Sequence, residues 1–223
     1  MGLEPTMQID IVHTDDSILV LNKPAGLSVL PDGWDATHDA PYVIKLLEAE
    51  HGKIWTVHRL DKTTSGVMVA ARNAEAHRAL NIQFENHEVE KIYHAIAIGS
   101  PRWEEKVTKF PLRVNVGHKH RTMVDDRNGV RAETRFKILR RGQSHVLLEA
   151  QPFTGRTHQI RVHAYALGFP LLGDVLYSAP QTDIIARPAL HAFSLTLTHP
   201  VTNERMTFTA PYPPDFESAL NKM

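Results

Sequence analysis

Apolar and polar positions alternate in short blocks along most of the chain. Ile9–Val12 and Ile18–Leu21 read as two short strands around an Asp15-Asp16 turn. Lys23-Pro24-Ala25-Gly26 breaks the pattern, and Pro31 to Ala40 is a polar loop. Pro41–His51 has the helical period, with Val43, Ile44, Leu46 and Leu47 on one side and Pro41 suited to the first turn. Val67–Ala71 reads as a strand. Asn73 can cap a helix to about Glu85 that buries Ala76, Leu80 and Phe84. In Lys91–Ile98, Ile92, His94, Ile96 and Ile98 face one way and Tyr93, Ala95 and Ala97 the other. Further strands are expected near Arg121–Val124, Thr134–Leu139 and Val146–Ala150, and a helix over Thr157–Leu167 closed by Gly168. Ser194–Thr198 and Met206–Thr209 make a hairpin across Pro200–Glu204. Strands outnumber helices and the connections are short, which predicts an α+β protein with a mixed, mainly antiparallel sheet.

Composition narrows the chemistry more than the fold. The 223 residues carry 25 basic and 25 acidic side chains, so a wholesale basic coat is excluded while a local basic surface is not. There is no cysteine, which removes disulfides, thiol nucleophiles and Cys-based metal sites. The amino-terminal stretch lacks the basic and apolar regions of a secretory signal. Met1-Gly2 with Thr6 fits a myristoylation pattern too permissive to carry weight. No apolar run approaches the ~20 residues of a membrane helix. No dinucleotide fingerprint, phosphate-binding GK[ST] loop or paired zinc-protease histidines occur. His118, His120, His158 and His163 form no convincing ligand set, so no metal is expected.

Three polar stretches remain. His58-Arg59-Leu60-Asp61-Lys62-Thr63-Thr64-Ser65-Gly66 puts a carboxylate, cations and hydroxyls in one loop; blandly read, it is an Asp turn leading into a strand. Thr154-Gly155-Arg156-Thr157-His158-Gln159-Ile160-Arg161-Val162-His163 opens a helix whose start and two arginines favour anions; blandly read, it is a solvated helix face. Lys91-Ile92-Tyr93-His94-Ala95 presents a tyrosine able to fill a core or stack on a base.

In this order the three stretches resemble the signatures of the RluA-type pseudouridine synthases. Leu21-Asn22-Lys23-Pro24-Ala25-Gly26-Leu27, the segment Ala166 to Asp174 and Leu190-His191-Ala192 extend the likeness from about Ile11 to Phe216. The resemblance implies a central, mostly antiparallel sheet flanked by helices with a cleft across its middle. It also implies isomerisation of uridine in RNA, with no cofactor and no metal. Many relatives carry an N-terminal S4-type domain. About twenty residues precede Asn22-Lys23-Pro24, so residues 1–223 are expected to be a single catalytic domain without it.

By position, Asp61 matches the catalytic aspartate, as nucleophile or base, and Arg161 the arginine paired with it. Tyr93 matches the residue stacked on the flipped uracil, and Arg59 the one that fills the space the base leaves. His58, Thr64 and Arg156 are placed with the RNA. Leu190 and Leu172 would wall the pocket. The partner is RNA, ribosomal or transfer or both, with no membrane. A cytoplasmic monomer is expected.

RNA affinity requires phosphate contacts. Arg127, Arg131, Arg135, Lys137, Arg140 and Arg141 face only Glu133 within their run, and Lys106, Lys109, Arg113, Lys119 and Arg121 face no acid. At least one run is expected to flank the RNA. Two competing readings are an idle RNA-binding or RNA-folding protein on the same scaffold, and a His-dependent hydrolase that no second motif supports.

Overall fold

The computed structural model describes residues 9–31, 40–117 and 121–223. Most of the polar loop after Pro31, the myristoylation-like start, His118, Lys119 and His120 lie outside them. The chain falls into two compact units, residues 1–89 with 196–211, and residues 90–195 with 212–223.

In the first unit, β1 (Asp10–Thr14) pairs antiparallel with β2 (Ile18–Lys23). Helix α1 (Val43–His51) follows, then β3 (Trp55–Thr56) and β4 (Ser65–Ala71). β4 pairs antiparallel with both β2 and β3. β4 is buried along its whole length, so it reads as a continuous apolar run rather than an alternating one. Asn73 caps α2 (Ala74–Glu85): its side-chain oxygen accepts from the Ala76 N–H at 2.8 Å. α1 starts two residues after Pro41, with Tyr42 at its cap position.

The second unit opens with β5 (Glu90–Ile98), β6 (Glu105–Thr108), β7 (Leu112–Val116), β8 (Arg121–Val124), β9 (Thr134–Arg141) and β10 (His145–Pro152). β10 lies between β5 and β9, β6 pairs with β9, and β7 with β8, all antiparallel. The two faces of β5 serve different cores. Ala95 and Ala97 join Phe136, Leu148, Ile160 and Leu190, with Tyr93 packed on that cluster. Ile96 joins Leu172, Ile185 and Phe216.

α3 (Gln159–Ala166) is shorter than expected because His158 sits at φ +55°, which no helical residue can adopt. Its start is made by the Gln159 side chain. Oε1 accepts from the Arg156 N–H at 3.1 Å and the Thr154 hydroxyl at 2.7 Å. Gln159 to Ala164 are all buried, so the solvated-face reading of this helix is wrong. Gly168, at φ +88°, takes the left-handed turn expected beyond the end.

β11 (Leu190–Thr198) runs from the second unit back into the first. There β12 (Arg205–Thr209) pairs with it, and Thr196 and Thr207 share a hydroxyl hydrogen bond of 2.8 Å. The chain ends in the second unit with α4 (Pro214–Asn221), which buries Phe216 and Ala219. The sequence reading missed α4, β3, β6 and β7. α4 had legible signals, a proline in its first turn followed by Asp215 and Glu217. β6 and β7 are short, charged and largely exposed, so no apolar period marks them. The pairings described within each unit are antiparallel, and the α+β class holds.

Candidate active site

The loop of the first unit that carries Asp61 is held from below by a buried cation. Lys23, with no exposed surface, donates from Nζ to the carbonyls of Pro24 at 2.7 Å, Leu27 at 2.8 Å and Lys62 at 3.3 Å. The Lys62 carbonyl also accepts from the Gly26 N–H at 2.7 Å, in a turn where Gly26 takes φ +89°. The Thr64 N–H donates to the Asp61 carbonyl at 3.0 Å and closes the turn. Burying an ammonium is tolerable only when acceptors replace its water. Here those acceptors are the backbone of the two loops that must keep their shape. The Lys23-Pro24-Ala25-Gly26 segment is therefore a clamp on the Asp61 turn.

The expected RNA-facing residues of this loop differ in placement. Arg59 is exposed and Asp61 half-buried. Thr64 is buried. His58 is turned inward: Nε2 accepts from the Val69 N–H at 3.1 Å, and its ring stacks on Phe84 at 4.7 Å between centroids. Since Nε2 accepts there, the neutral ring carries its proton on Nδ1.

In the second unit, Arg161 is fixed by a partner that sequence reading did not supply. Nε and Nη2 donate to the two oxygens of Asp174 at 2.6 and 2.8 Å, with 6% and 1% of the two side chains exposed. This two-pronged pairing fixes the plane of the guanidinium as well as its charge. The Tyr177 ring lies beneath, 5.1 Å from the guanidinium carbon. The Tyr177 hydroxyl is anchored in turn: it accepts from the Thr122 N–H at 3.0 Å, donates to the Thr122 carbonyl at 3.1 Å and meets His158 Nδ1 at 2.9 Å. Burial pushes the Tyr177 hydroxyl above its usual range, so it stays neutral.

On the other edge of α3, the His163 Nε2 donates to the Phe110 carbonyl at 3.0 Å. Nδ1 meets the Thr134 hydroxyl at 2.9 Å, and burial lowers the imidazole pKa.

Tyr93 and Leu190 share the apolar cluster that Ile160 and Ala164 of α3 also enter. Leu172 belongs to the cluster on the opposite side of β5. Arg156 is exposed, and its Nε donates to the Arg131 carbonyl at 3.3 Å. The basic runs find more acid than their own segments hold. Lys109 and Arg131 share Glu133, Arg113 pairs with Asp125, and Arg141 with Glu104. Among the described residues no group of three His, Asp or Glu side chains could hold a metal ion.

The profile of the RNA pseudouridylate synthase family matches residues 17–166, more than half of the chain. The chain belongs to this family. The Haemophilus influenzae "Dual-specificity RNA pseudouridine synthase RluA" is 38% identical over 210 residues, covering 93% of this chain and 94% of that protein. The Vibrio cholerae "Ribosomal large subunit pseudouridine synthase C" is 36% identical over 220 residues, covering 96% and 69%. The solved structure of human RNA pseudouridylate synthase domain containing 1 superposes with a TM-score of 0.80 at 26% identity, covering 98% of this chain and 90% of that one. As an RNA pseudouridine synthase this protein is an isomerase. The reaction breaks the C1′–N1 bond, turns the uracil and joins C5 to C1′, with N1 gaining and C5 losing a proton.

No helix is long and apolar enough to cross a membrane among the described residues.

Proposed function

We propose that the protein converts uridines of structured ribosomal RNA, transfer RNA or both to pseudouridine, with the Asp61 carboxylate as nucleophile at C1′ or base at C2′. The reading is carried by the clamped turn that presents Asp61, at the position where the family has its catalytic aspartate. A relative named for the large ribosomal subunit supports ribosomal RNA, and one named for dual specificity supports more than one kind of RNA target.

Arg161 takes the role of the arginine that the family pairs with its catalytic aspartate. Asp174 and Tyr177 orient it, because two of its five N–H groups are committed to Asp174 in a fixed plane. Tyr93 and Leu190 receive the uracil once it leaves the stack, and exposed Arg59 occupies the space left behind. Arg156 supplies phosphate contacts beside them. His58 and Thr64 serve by shaping the loop, since one is tied to Val69 and Phe84 and the other is buried. Residues 1–223 work as one catalytic domain, a cytoplasmic monomer.

The test is tritium release from tRNA and large-subunit rRNA carrying [5-³H]uridine, since C5 must lose its hydrogen. Wild-type protein releases tritium from at least one of them. Asp61→Asn, nearly isosteric, abolishes release while RNA binding and the melting temperature hold. Turnover of the variant within tenfold of wild type sinks the role of Asp61.

A further inference from the structure

Lys91 differs from the ion-paired cations of the second unit. Arg161 has Asp174, Arg113 has Asp125, and Lys109 and Arg131 have Glu133. Lys91 is half-buried in β5, yet its ammonium has no hydrogen bond or ion pair among the described residues. Burial is the one influence that acts on it, and it lowers the pKa. Such a group costs stability without return in the free protein.

Its place on the strand gives the cost a purpose. Side chains two apart on a strand share a face and stand about 7 Å from each other. Lys91 therefore lies on the face of Tyr93 and Ala95, towards the cluster that holds Leu190, and not on the face of Ile96 and Phe216. About 7 Å also matches the step between neighbouring phosphates along an extended nucleic-acid strand. A cation there, short of water and of protein acceptors, is matched by a phosphate oxygen of the strand whose base sits on Tyr93.

We propose that Lys91 is an RNA-binding residue that takes a backbone phosphate next to the uridine stacked on Tyr93. The proposal rests on the reading of Tyr93 as the stacking residue. Bound RNA supplies the acceptor that the fold withholds, so part of the stability lost to Lys91 returns only in the complex.

The experiment compares Lys91→Met and Lys91→Arg with the parent. All RNA binding is measured in the Asp61→Asn background, on the tRNA or rRNA transcript that the wild-type protein modifies. Lys91→Met should weaken binding about tenfold or more, as loss of one charge-assisted hydrogen bond does. It should flatten the log–log salt dependence by roughly 0.7 to 0.9, one phosphate contact. Its melting temperature should hold or rise, since methionine fills the same volume with no charge to desolvate. Lys91→Arg should keep most of the affinity and the slope.

An unchanged affinity and slope in Lys91→Met overturns the proposal. So does a fall in melting temperature that accompanies the loss of binding, because that marks Lys91 as structural. If wild-type protein releases no tritium from either RNA, the underlying reading fails first and takes this proposal with it. Tritium release with a silent Lys91 overturns the phosphate contact alone.

Discussion

Two buried cations, one in each unit, fix groups of the candidate site residues, and they do so by different physics. Lys23 in the first unit is satisfied by the carbonyls of Pro24, Leu27 and Lys62. Arg161 in the second is satisfied by both oxygens of Asp174. An ammonium is a compact donor on a flexible stem, suited to gathering carbonyls from different loops. A guanidinium is a rigid fork, suited to fixing one plane against a carboxylate. The first arrangement fixes backbone: it sets the turn on which Asp61 rides. The second fixes a side chain: it sets the direction in which Arg161 presents its remaining N–H groups. Removing the cation should loosen a loop in one case. In the other, removing the anion should leave a buried charge uncompensated.

The largest effect is expected where the ion pair is cut. Asp174→Asn keeps the shape but leaves Arg161 charged and buried, a change that costs about 3–5 kcal/mol when a buried pair loses one partner. Denaturant unfolding reads this cost. Single-turnover tritium release from saturating enzyme should fall at least as far as in Arg161→Lys, which keeps the charge and loses the fork. A variant as stable and as fast as wild type would show that Asp174 is a bystander.

Next comes the carbonyl-bound cation. Lys23→Met removes a donor from three carbonyls; that of Lys62 keeps the Gly26 N–H, while those of Pro24 and Leu27 need another partner, at roughly 1–3 kcal/mol for a group left unsatisfied. The loss should appear as faster amide exchange across Lys23–Leu27 and Asp61–Ser65, with α3 unaffected. Uniform loss of protection through α3 as well would erase the distinction between the two holds.

The third contrast is acid response. Burial, with the charge of nearby His191, holds His94 down to about 4. Its Nδ1 meets the Tyr212 hydroxyl at 2.6 Å, and its ring stacks on Phe193. Between pH 6.5 and about 4 the unfolded chain binds a proton here that the folded chain refuses, so stability falls as pH falls through this window, by up to about 3 kcal/mol. Below about 4 both states are protonated and the loss stops growing.

Asp15 in the first unit responds with the same sign but in a more acid window. Burial raises its pKa, but hydrogen bonds from His13, the Ile18 and Ser17 N–H groups and His199 outweigh that and bring it to about 2. Its contribution is fully present above 3.8 and is lost only as pH falls through about 2. Denaturant titrations at pH 7.5, 5 and 3.5 should therefore show the first losses reduced by His94→Gln, with buried His163 carrying a remainder, and untouched by Asp15→Asn. If His94→Gln keeps the full decline between pH 7.5 and 5, the burial argument is wrong.

Local rules were legible wherever one residue or one short period decides the outcome. The alternation of Lys91–Ile98, the Asn73 cap and the left-handed Gly168 are each set by neighbours within a few positions, and each stands in the structure. The motifs around Asp61, Tyr93 and Arg161 identified the family for a related reason, since a reaction constrains residue types in a fixed local order. Sequence position also showed which residue is the candidate carboxylate. It did not show what holds it.

The rest was decided by contacts between residues far apart in the chain or by geometry that no residue type announces. Asp174 is 13 positions from Arg161, and Lys62 is 39 positions from Lys23. In sequence, Arg161 looked like part of a solvated helix face and Lys23 like part of a turn. Burial turned each into a charge that must be met, and only the fold determines which atoms meet it. His158 reads as helical by its neighbours and is left-handed, because the Gln159 side chain starts the helix one residue later. The sequence by itself therefore determined most of the elements, the family and the chemistry on offer. The tertiary structure decided which groups lose their water, and desolvation makes a partner obligatory at Lys23 and Arg161 and leaves one outstanding at Lys91.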